Sequence, residues 1–428
     1  MTQEQVKLGA EAAQAIIIGV WMNGESHEKL TDDLNELESL LKTLGHAVCD
    51  RVVQKRHKFS ASTLLGKGKI EEISHMAEQR GAQLLVFDHP LTPPQVRNIE
   101  ALTGKVVMDR TGVILEIFHA HARTAQARTQ VEIARLEYLL PRLTGAWTHF
   151  QRQAGGGVRS RGMGEKQIEI DRRRARERIA RLQRQLEQIR KERQTQRKAR
   201  ANELHVAIVG YTNSGKSTLM KALTRTSVAG KDELFATLDT SIKTIDPRTR
   251  PKILLSDTVG FIRHLPHALI ESFKSTLDEV LEADLLLHVV DVSHPQYDEH
   301  MAITTKVLGE IGAGAIPQLM IFNKSDRLKD SILPRVLRGA YPGSMCISAY
   351  EKSDTSEVRE HIFDYFKKNF TDYKLTVEAT NQRMQSLIYG QCIVIDADYS
   401  DPTLVTFHLR SSRATYDRLS KMAAEQKH

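Results

Sequence analysis

Apolar and polar residues alternate along the first 125 residues with two different periods. Short apolar runs rich in β-branched residues, such as "AIIIGVW" and "LLVFDH", predict strands. Longer stretches with apolar residues three and four positions apart predict helices, two of which end at Gly45 and Gly81. Strands and helices in alternation are typical of a small parallel α/β domain, which we place at residues 1–125.

The pattern becomes helical from about Thr129. An apolar stripe then recurs at steps of four and three residues, through Ala175, Ile179, Leu182, Leu186 and Ile189. Because this spacing is regular over only about two heptads, it favours an intramolecular hairpin over a dimeric coiled coil. We therefore predict a helical hairpin over residues 126–202, with the basic, glycine-rich stretch "QAGGGVRSRGMGEKQIEIDRRR" as a loop at its tip.

The remaining residues form two further predicted domains. Residues 203–370 return to alternating strands and helices, and residues 371–428 follow the order strand, helix, strand, strand, helix. The predicted fold is a multidomain α/β protein: a small N-terminal α/β domain, an α-helical hairpin, a domain with a mostly parallel sheet, and a small C-terminal α+β domain.

Positive charge is concentrated in one segment. The 428-residue chain has a formal net charge of +8, and residues 151–200 contain 17 Lys or Arg against 6 Asp or Glu, which leaves −3 for the rest. Such a segment favours nucleic acid or another anionic surface as the partner; a solvated helix face is the alternative.

Other features of the composition exclude several protein classes. No apolar run reaches the length of a membrane span, and the first residues lack the basic flank of a signal peptide. Cys49, Cys346 and Cys392 are far apart and show no metal-ligand spacing. Reduced thiols of this kind are typical of a cytoplasmic protein. We also expect the protein to be a monomer and to have no membrane span.

The stretch "GYTNSGKST" follows an apolar strand and precedes a helix. It matches G-x-x-x-x-G-K-[ST], a turn whose backbone amides bind phosphates. Lys216 is predicted to reach the β- and γ-phosphates, and Ser217 to bind Mg²⁺. The predicted nucleotide contacts of this loop are Gly210, Tyr211, Thr212, Asn213, Ser214, Gly215, Lys216, Ser217 and Thr218.

A second motif, "NKSD", follows the strand "QLMIF" and indicates which base is bound. Asp326 can accept hydrogen bonds from guanine N1–H and from the guanine 2-amino group, and adenine offers neither donor. Ser348 and Ala349, after a later strand, fit a loop that also contacts guanine. Together with Asn323 and Lys324, these residues predict a site for GTP and GDP rather than ATP.

The segment "DTVGF" lies between these motifs. Asp257 is predicted to hold Mg²⁺ through water, and the Gly260 amide to bind the γ-phosphate. Thr237 in "LFATLDT" is predicted to complete the Mg²⁺ shell when a triphosphate is bound, although an ordinary surface-loop threonine is the alternative. The motifs in this order predict a Ras-like P-loop GTPase domain, with Lys216, Thr237 and Gly260 as its catalytic groups.

Two positions bear on the rate of hydrolysis. Phe261 stands where Ras-type enzymes have a glutamine that orients the attacking water, so we expect slow intrinsic turnover. Asn213 matches GTPases that use K⁺ near the phosphates in place of an arginine finger, which makes K⁺ a candidate second cofactor beside Mg²⁺.

From residue 14 to about residue 370, the chain resembles the HflX family of ribosome-associated GTPases. The resemblance is most specific at "FDHPLTPPQVRNIE", "MDRTGVILEIF", "WTHFQRQ", "LFATLD" and "DTVGFIRHLP". It implies binding to the large ribosomal subunit and its rRNA, and GTP-dependent dissociation of stalled or idle ribosomes. Arginines of the glycine-rich stretch are then the candidate RNA contacts: Arg159, Arg161, Arg172, Arg173 and Arg174.

Alternatives remain for the arginines and for the function. At least one arginine of the consecutive set can pair with Glu169 or Glu177 instead of RNA. A ribosome-assembly or RNA-binding GTPase acting on immature subunits is the second functional hypothesis. An ATP-fuelled RNA remodeller is the third, and it would need a second phosphate loop that the sequence lacks.

Overall fold

The computed structural model describes residues 12–22, 26–142, 161–200, 203–224, 234–235, 241–247, 249–263, 278–329 and 332–425. The chain divides into two compact units. The first comprises Met1–Arg190, Glu233–Phe235 and His264–Phe273; the second comprises Lys191–Asp232, Ala236–Arg263 and Lys274–His428.

The first unit contains a four-stranded parallel sheet in the order β2-β1-β3-β4. Its strands are β1 (Gln14–Met22), β2 (Ala47–Arg56), β3 (Leu84–Phe87) and β4 (Val106–Asp109). Its first four helices are α1 (His27–Thr43), α2 (Lys67–Gln79), α3 (Pro93–Thr103) and α4 (Arg110–His121). The central strands β1 and β3 are buried on both faces, which explains why their sequences are continuous apolar runs.

Local signals explain where these helices begin and end. The side chain of Ser26 accepts a hydrogen bond from the Glu28 amide at the start of α1. Thr92 and Gln95 form a capping box at the start of α3. Gly45 and Gly81 have φ angles of 82° and 66°, so each takes the left-handed conformation after the end of a helix.

Two long helices follow, α5 (Ala125–Leu139) and α6 (Arg161–Arg200). Helix α5 and the part of α6 up to Arg190 belong to the first unit. The apolar stripe of α6 lies buried against α5, and the buried residues of this contact are Ile133, Ile179, Leu182 and Leu186. Arg178 on α6 and Glu132 on α5 form an ion pair of 2.8 Å across it. The apolar stripe of α6 therefore packs against another helix of the same chain.

Helix α6 begins at Arg161, inside the stretch that the sequence analysis assigns to a loop. That assignment is wrong from Arg161 to Arg174, which are 14 of the 22 residues of the stretch. Residues from Glu165 onward are mostly Glu, Lys, Gln, Arg and Ile, which include several of the strongest helix formers. Gly162 and Gly164 cost about 1 kcal/mol each within a helix, which a helix of 40 residues tolerates near its end.

The second unit contains a six-stranded sheet in the order β10-β9-β8-β5-β7-β6, parallel except for β6. Its strands are β5 (Leu204–Gly210), β6 (Ser241–Thr244), β7 (Ile253–Asp257), β8 (Leu285–Asp291), β9 (Gln318–Asn323) and β10 (Met345–Cys346). Its helices are α7 (Lys216–Thr224), α8 (Tyr297–Ile311), α9 (Leu333–Ala340) and α10 (Lys352–Lys368). The predicted mostly parallel sheet is confirmed, and four of its parallel strands, β5, β7, β8 and β9, end in polar or glycine residues along one edge.

A three-stranded antiparallel sheet follows in the order β11-β13-β12. The elements are β11 (Thr371–Glu378), α11 (Gln382–Gln391), β12 (Ile393–Asp398), β13 (Leu404–Ser411) and α12 (Arg413–Glu425). Val377, Phe407 and Ile388 are central to its core. This order of elements is the one that the sequence predicts.

Candidate functional site

The turn between β5 and α7 has the conformation of a phosphate-binding loop. Gly210 and Gly215 have φ angles of 148° and 94°, and Asn213 has a φ of 58°. A Cβ on Gly210 would lie 2.2 Å from the Val289 carbonyl oxygen, and a Cβ on Gly215 would lie 2.2 Å from Asn323 Nδ2. Only glycine fits at these two positions, because both the backbone angles and the space exclude a side chain.

Two hydroxyl groups of this loop are buried and have no hydrogen-bond partner in the described part of the chain, Thr212 Oγ1 and Ser214 Oγ. Thr212 is 7% exposed and Ser214 is fully buried. Buried polar atoms almost always find a partner in a native protein, so such groups mark where a polar ligand or water completes the loop.

Lys216 is the first residue of α7, and its side chain is 6% exposed. Its Nζ donates hydrogen bonds to the carbonyl oxygens of Gly210, at 3.1 Å, and of Tyr211, at 2.6 Å. Burial lowers the pKa of the ammonium group to about 8; Asp257 opposes this shift and Lys324 adds to it. An anionic ligand beside Nζ would stabilise the charged form of Lys216.

The oxygen atoms of Ser217 and Asp257 meet beside the loop. Ser217 Oγ donates to Asp257 Oδ2 at 2.6 Å, and Asp257 is the last residue of β7. Hydroxyl and carboxylate oxygens are the ligands that Mg²⁺ prefers, so this pair fits that ion. Within the described ranges, no three His, Cys, Asp or Glu side chains converge as a ligand set of their own. A Mg²⁺ ion would therefore depend on nucleotide or water for its other ligands.

Asn323 connects the phosphate loop with the loop that follows β10. Its Nδ2 donates to the Ser214 carbonyl oxygen at 2.8 Å, and its Oδ1 accepts from the Ala349 amide at 3.0 Å. Asp326 lies in a short 3-10 turn, and its side chain is exposed. The structure thus brings the "NKSD" segment, Ser348–Ala349 and the phosphate loop together, with Asp326 accessible to a ligand.

Two acidic residues that sequence reasoning missed support the same loops. Asp291 ends β8, and its carboxylate lies 2.7 Å from Lys324 Nζ. Asp354 Oδ2 accepts a hydrogen bond from the Ser348 amide at 2.8 Å. The position of Asp291 at the end of an apolar strand was the signal that could have identified it.

Gly260 and Phe261 lie directly against the phosphate loop. Phe261 is 2% exposed and forms a parallel bridge with Tyr211. A Cβ on Gly260 would lie 2.9 Å from Thr212 Cα and 3.0 Å from Lys216 Nζ. The apolar residue in the position of the water-orienting glutamine is therefore buried against the loop.

Some predicted residues lie elsewhere. Thr237 and Arg159 fall outside the described residues, as does the side chain of Arg161. On α6, Arg172 is partly buried, whereas Arg173 and Arg174 are exposed. Arg173 lies 3.6 Å from Glu177, the pairing that the sequence analysis raised as an alternative, and Arg174 lies 3.9 Å from Asp171. Exposed pairs of this length contribute little and leave both arginines accessible.

Three family models match consecutive parts of the chain. Residues 31–119 match the GTP-binding GTPase N-terminal model, and residues 121–200 match the GTP-binding GTPase middle region. Residues 205–324 match the model described as 50S ribosome-binding GTPase. No helix in the described ranges combines the length and apolar character needed to cross a membrane.

Relatives match over nearly the whole chain. GTPase HflX of Gluconacetobacter diazotrophicus is 40% identical over 451 aligned positions, which cover 96% of this chain and 98% of the relative. GTPase HflX of Escherichia coli is 37% identical over 413 positions, which cover 95% and 96%. The crystal structure of a GTP-binding protein from the archaeon Sulfolobus solfataricus in complex with GDP is 24% identical, covers 82% of this chain and 98% of that one, and has a TM-score of 0.45.

Proposed function

The chain belongs to the HflX family of GTPases, and we propose that it couples GTP hydrolysis to binding of the large ribosomal subunit and to the dissociation of stalled or idle ribosomes. The GTPase activity follows from the family and from the P-loop domain. The step to the ribosome rests on an additional property of the chain, its basic surface.

The observation that carries the ribosome proposal is the exposed positive charge of α6. Beyond Arg173 and Arg174, the exposed arginines among the described side chains of this helix are Arg176, Arg181, Arg184 and Arg190. Guanidinium groups along a helix neutralise phosphates and release counterions, so they bind RNA with little dependence on base sequence. The match of residues 205–324 to a 50S ribosome-binding GTPase supports the large subunit as the source of that RNA.

Hydrolysis is mainly an electrostatic problem, because charge spreads over the phosphoryl oxygens in the transition state. In our proposal the loop amides and Lys216 bind the phosphates, and Asp326 binds guanine. Ser217 and Asp257 would hold Mg²⁺, and Thr237 would join them when the triphosphate is bound. The ion would neutralise part of the phosphate charge. Asn213 is exposed and is therefore accessible to a K⁺ ion.

The γ-phosphate is the proposed switch. We expect it to change the positions of the segments around Thr237 and Gly260, so that the affinity for the ribosome differs between GTP and GDP. Hydrolysis would then release the factor. Because Phe261 cannot orient water by a hydrogen bond, turnover depends on another group, on an ion or on the ribosome itself.

The test is co-sedimentation with purified large subunits in a non-hydrolysable GTP analogue or GDP, across a salt series. We expect binding that favours the analogue and falls steeply with salt. Replacing Arg172, Arg173 and Arg174 by Ala should reduce the slope of log affinity against log salt by about 2 to 3. A matched control replaces the exposed Lys367 and Lys368 of α10 by Ala and should leave the slope unchanged.

Sucrose gradients of intact ribosomes separate the two ribosomal hypotheses. Splitting into subunits with GTP supports the proposal. Binding only to immature subunits would favour the assembly hypothesis, and no binding to any subunit would overturn the ribosomal function.

A further inference from the structure

A cluster in the second unit joins the phosphate loop, the segment after Gly260 and helix α8. The ring of Tyr211 stacks on the ring of His300, with centroids 3.8 Å apart and planes inclined by 2°. Tyr211 Oη also accepts a hydrogen bond from the Arg263 amide at 2.9 Å. One side chain of the phosphate loop therefore contacts both α8 and the backbone two residues beyond Phe261.

Arg263 is held by α8 through its side chain. The residue is 4% exposed, and its guanidinium group donates to Glu299 at 2.8 Å and also to Gln296. A charge-assisted hydrogen bond from a buried guanidinium is among the stronger polar contacts in a protein. Residues 261–263 are thus fixed both through the backbone and through the Arg263 side chain.

The same segment is paired with the phosphate loop at Phe261. The Thr212 amide donates to the Phe261 carbonyl oxygen at 2.7 Å, and the Phe261 amide donates to the Gly210 carbonyl oxygen at 3.1 Å. These two bonds form a separate parallel bridge between Tyr211 and Phe261, beyond the last β5–β7 pair at Ile208 and Asp257. They also place Gly260 close to Lys216 Nζ, on the side where Lys216 would meet a γ-phosphate.

We propose that Arg263 is a positioning residue that sets the discrimination between GDP and GTP. Held by Glu299 and Gln296, it keeps Phe261 paired with the phosphate loop, and Gly260 then fills space that the γ-phosphate needs. A triphosphate must displace this segment before it can recruit the Gly260 amide, whereas GDP leaves it in place. GTP binds only after the segment is displaced, so the free energy of that displacement is subtracted from its binding free energy. The contacts of Arg263 therefore lower the affinity for GTP relative to that for GDP.

The first variant is Glu299→Gln, which keeps the size of the side chain and removes its charge. We expect the affinity for a non-hydrolysable GTP analogue to rise about tenfold relative to that for GDP, which corresponds to about 1.4 kcal/mol. The GDP dissociation constant itself should change little. Both constants are measured on the full chain by fluorescence titration with labelled nucleotides.

The matched control is Glu310→Gln. Glu310 lies on the same helix and forms a looser pair with Lys306, at 3.9 Å. This pair is largely exposed and lies further along α8 than Glu299, the residue that contacts Arg263. The ratio of the dissociation constants for GDP and the GTP analogue should therefore equal that of the unmodified chain.

A second variant, Arg263→Lys, keeps the positive charge but replaces the planar guanidinium group, which donates hydrogen bonds to both Glu299 and Gln296, by an ammonium group. It should shift the ratio in the same direction, and combining it with Glu299→Gln should add little, because both changes remove one contact. An unchanged ratio in both single variants would overturn the proposal. Equal weakening of GDP and the analogue would overturn it too, since that result indicates a purely structural role. If Glu299→Gln does not fold, Arg263→Lys decides the question alone.

Discussion

The two sheets of parallel strands in this protein differ in how fully the polar side chains beyond the strand ends are paired within the protein. In the first unit, Arg110 follows β4 and is 2% exposed. Its guanidinium pairs with Asp88, after β3, at 2.7 Å, and with Glu36 on α1. In the second unit, the hydroxyls of Thr212 and Ser214 are buried at the equivalent edge and find no partner among the described residues.

Asp109 makes the contrast stronger. This carboxylate, at the end of β4, accepts hydrogen bonds from the Leu91 amide at 3.0 Å, the Gly112 amide at 2.9 Å and Tyr138 Oη at 2.7 Å. Burial, followed by the charge of Asp109, raises the pKa of Tyr138 well above its usual value, so the phenol stays a donor. Charged residues at a sheet edge thus do not by themselves indicate a ligand site. What distinguishes the second unit is that two hydroxyl groups of its glycine-containing phosphate loop lack partners among the described residues.

The comparison predicts its largest effect at Lys216. Replacing it by Ala should lower kcat for GTP by about 10⁴-fold, because the charge that stabilises the transferring phosphoryl group is lost. Thermal unfolding should not become easier, since the variant no longer buries an ammonium group. The measurement is phosphate release at saturating GTP.

Lys221→Ala, one turn further along α7, is the matched control and should retain turnover within a factor of about two. If Lys216→Ala kept more than a tenth of the activity, the phosphate loop would not be the hydrolytic site.

The opposite outcome is expected at Arg110. Replacing it by Met leaves the buried Asp88 and the partly buried Glu36 without their cation, which should lower the free energy of unfolding by about 3–5 kcal/mol. Turnover of GTP should be unchanged at temperatures where the variant is folded. Urea unfolding of the full chain measures the first quantity, and a GTPase assay measures the second.

Arg80→Met provides the control for this change. Arg80 pairs with Asp50 at 3.3 Å, and its side chain is 60% exposed, so its removal should cost less than about 1 kcal/mol. Loss of turnover in folded Arg110→Met would mean that the first unit contributes directly to nucleotide chemistry.

What the sequence can predict depends on whether the contacts of an element lie close together or far apart along the chain. The strands and the phosphate loop are predictable because their signals, such as the apolar run of β5 and the spacing from Gly210 to Ser217, lie within a few residues. Helix α4 is not predicted, because seven of its twelve residues are buried and the run "VILEIF" has no helical period. The pairing of Arg110 with Glu36 joins residues 74 positions apart, which no local pattern can reveal.

The second unit offers the same lesson. Phe261 is conspicuous in the sequence because it stands where a glutamine is expected. Phe261 is buried against Tyr211, and Arg263 contacts Glu299. Both contacts depend on the positions of β7 and α8 relative to β5. Such contacts follow from the fold and not from the residue types alone.

The third expected effect is a dependence of stability on pH, centred on His288. This residue lies on β8, is 1% exposed, and burial lowers its pKa to about 4. In the unfolded chain a histidine titrates near 6.5. The stabilisation is therefore fully present above pH 6.5 and is lost as the pH falls toward 4, by about 3 kcal/mol in all.

Hydrogen exchange of peptides from β8 and from β1, corrected for the intrinsic rate at each pH, separates the two units. In the first unit, burial also lowers the pKa of His46, in the same direction, so both units weaken in acid. Replacing His288 by Leu should remove the additional pH dependence from β8 only. An unchanged pH profile in His288→Leu would show that other groups cause the acid sensitivity.

The smallest expected effect is a change of base preference on replacing Asp326, the most exposed carboxylate in this comparison. Asp88 and Asp109 are 6% and 1% exposed and are occupied by internal donors, whereas Asp326 is exposed. Replacing Asp326 by Asn should weaken GTP binding about a hundredfold, because an amide offers one acceptor where guanine presents two donors.

The same variant should bind xanthosine triphosphate better than the unmodified chain does. Xanthine presents a donor at N1 and an acceptor at C2, and the amide of Asn complements both. Asp364→Asn, an exposed residue on α10, is the control and should change neither affinity. If Asp326→Asn bound GTP and xanthosine triphosphate as the unmodified chain does, an exposed carboxylate at the sheet edge would be as uninformative about ligands as the buried ones of the first unit.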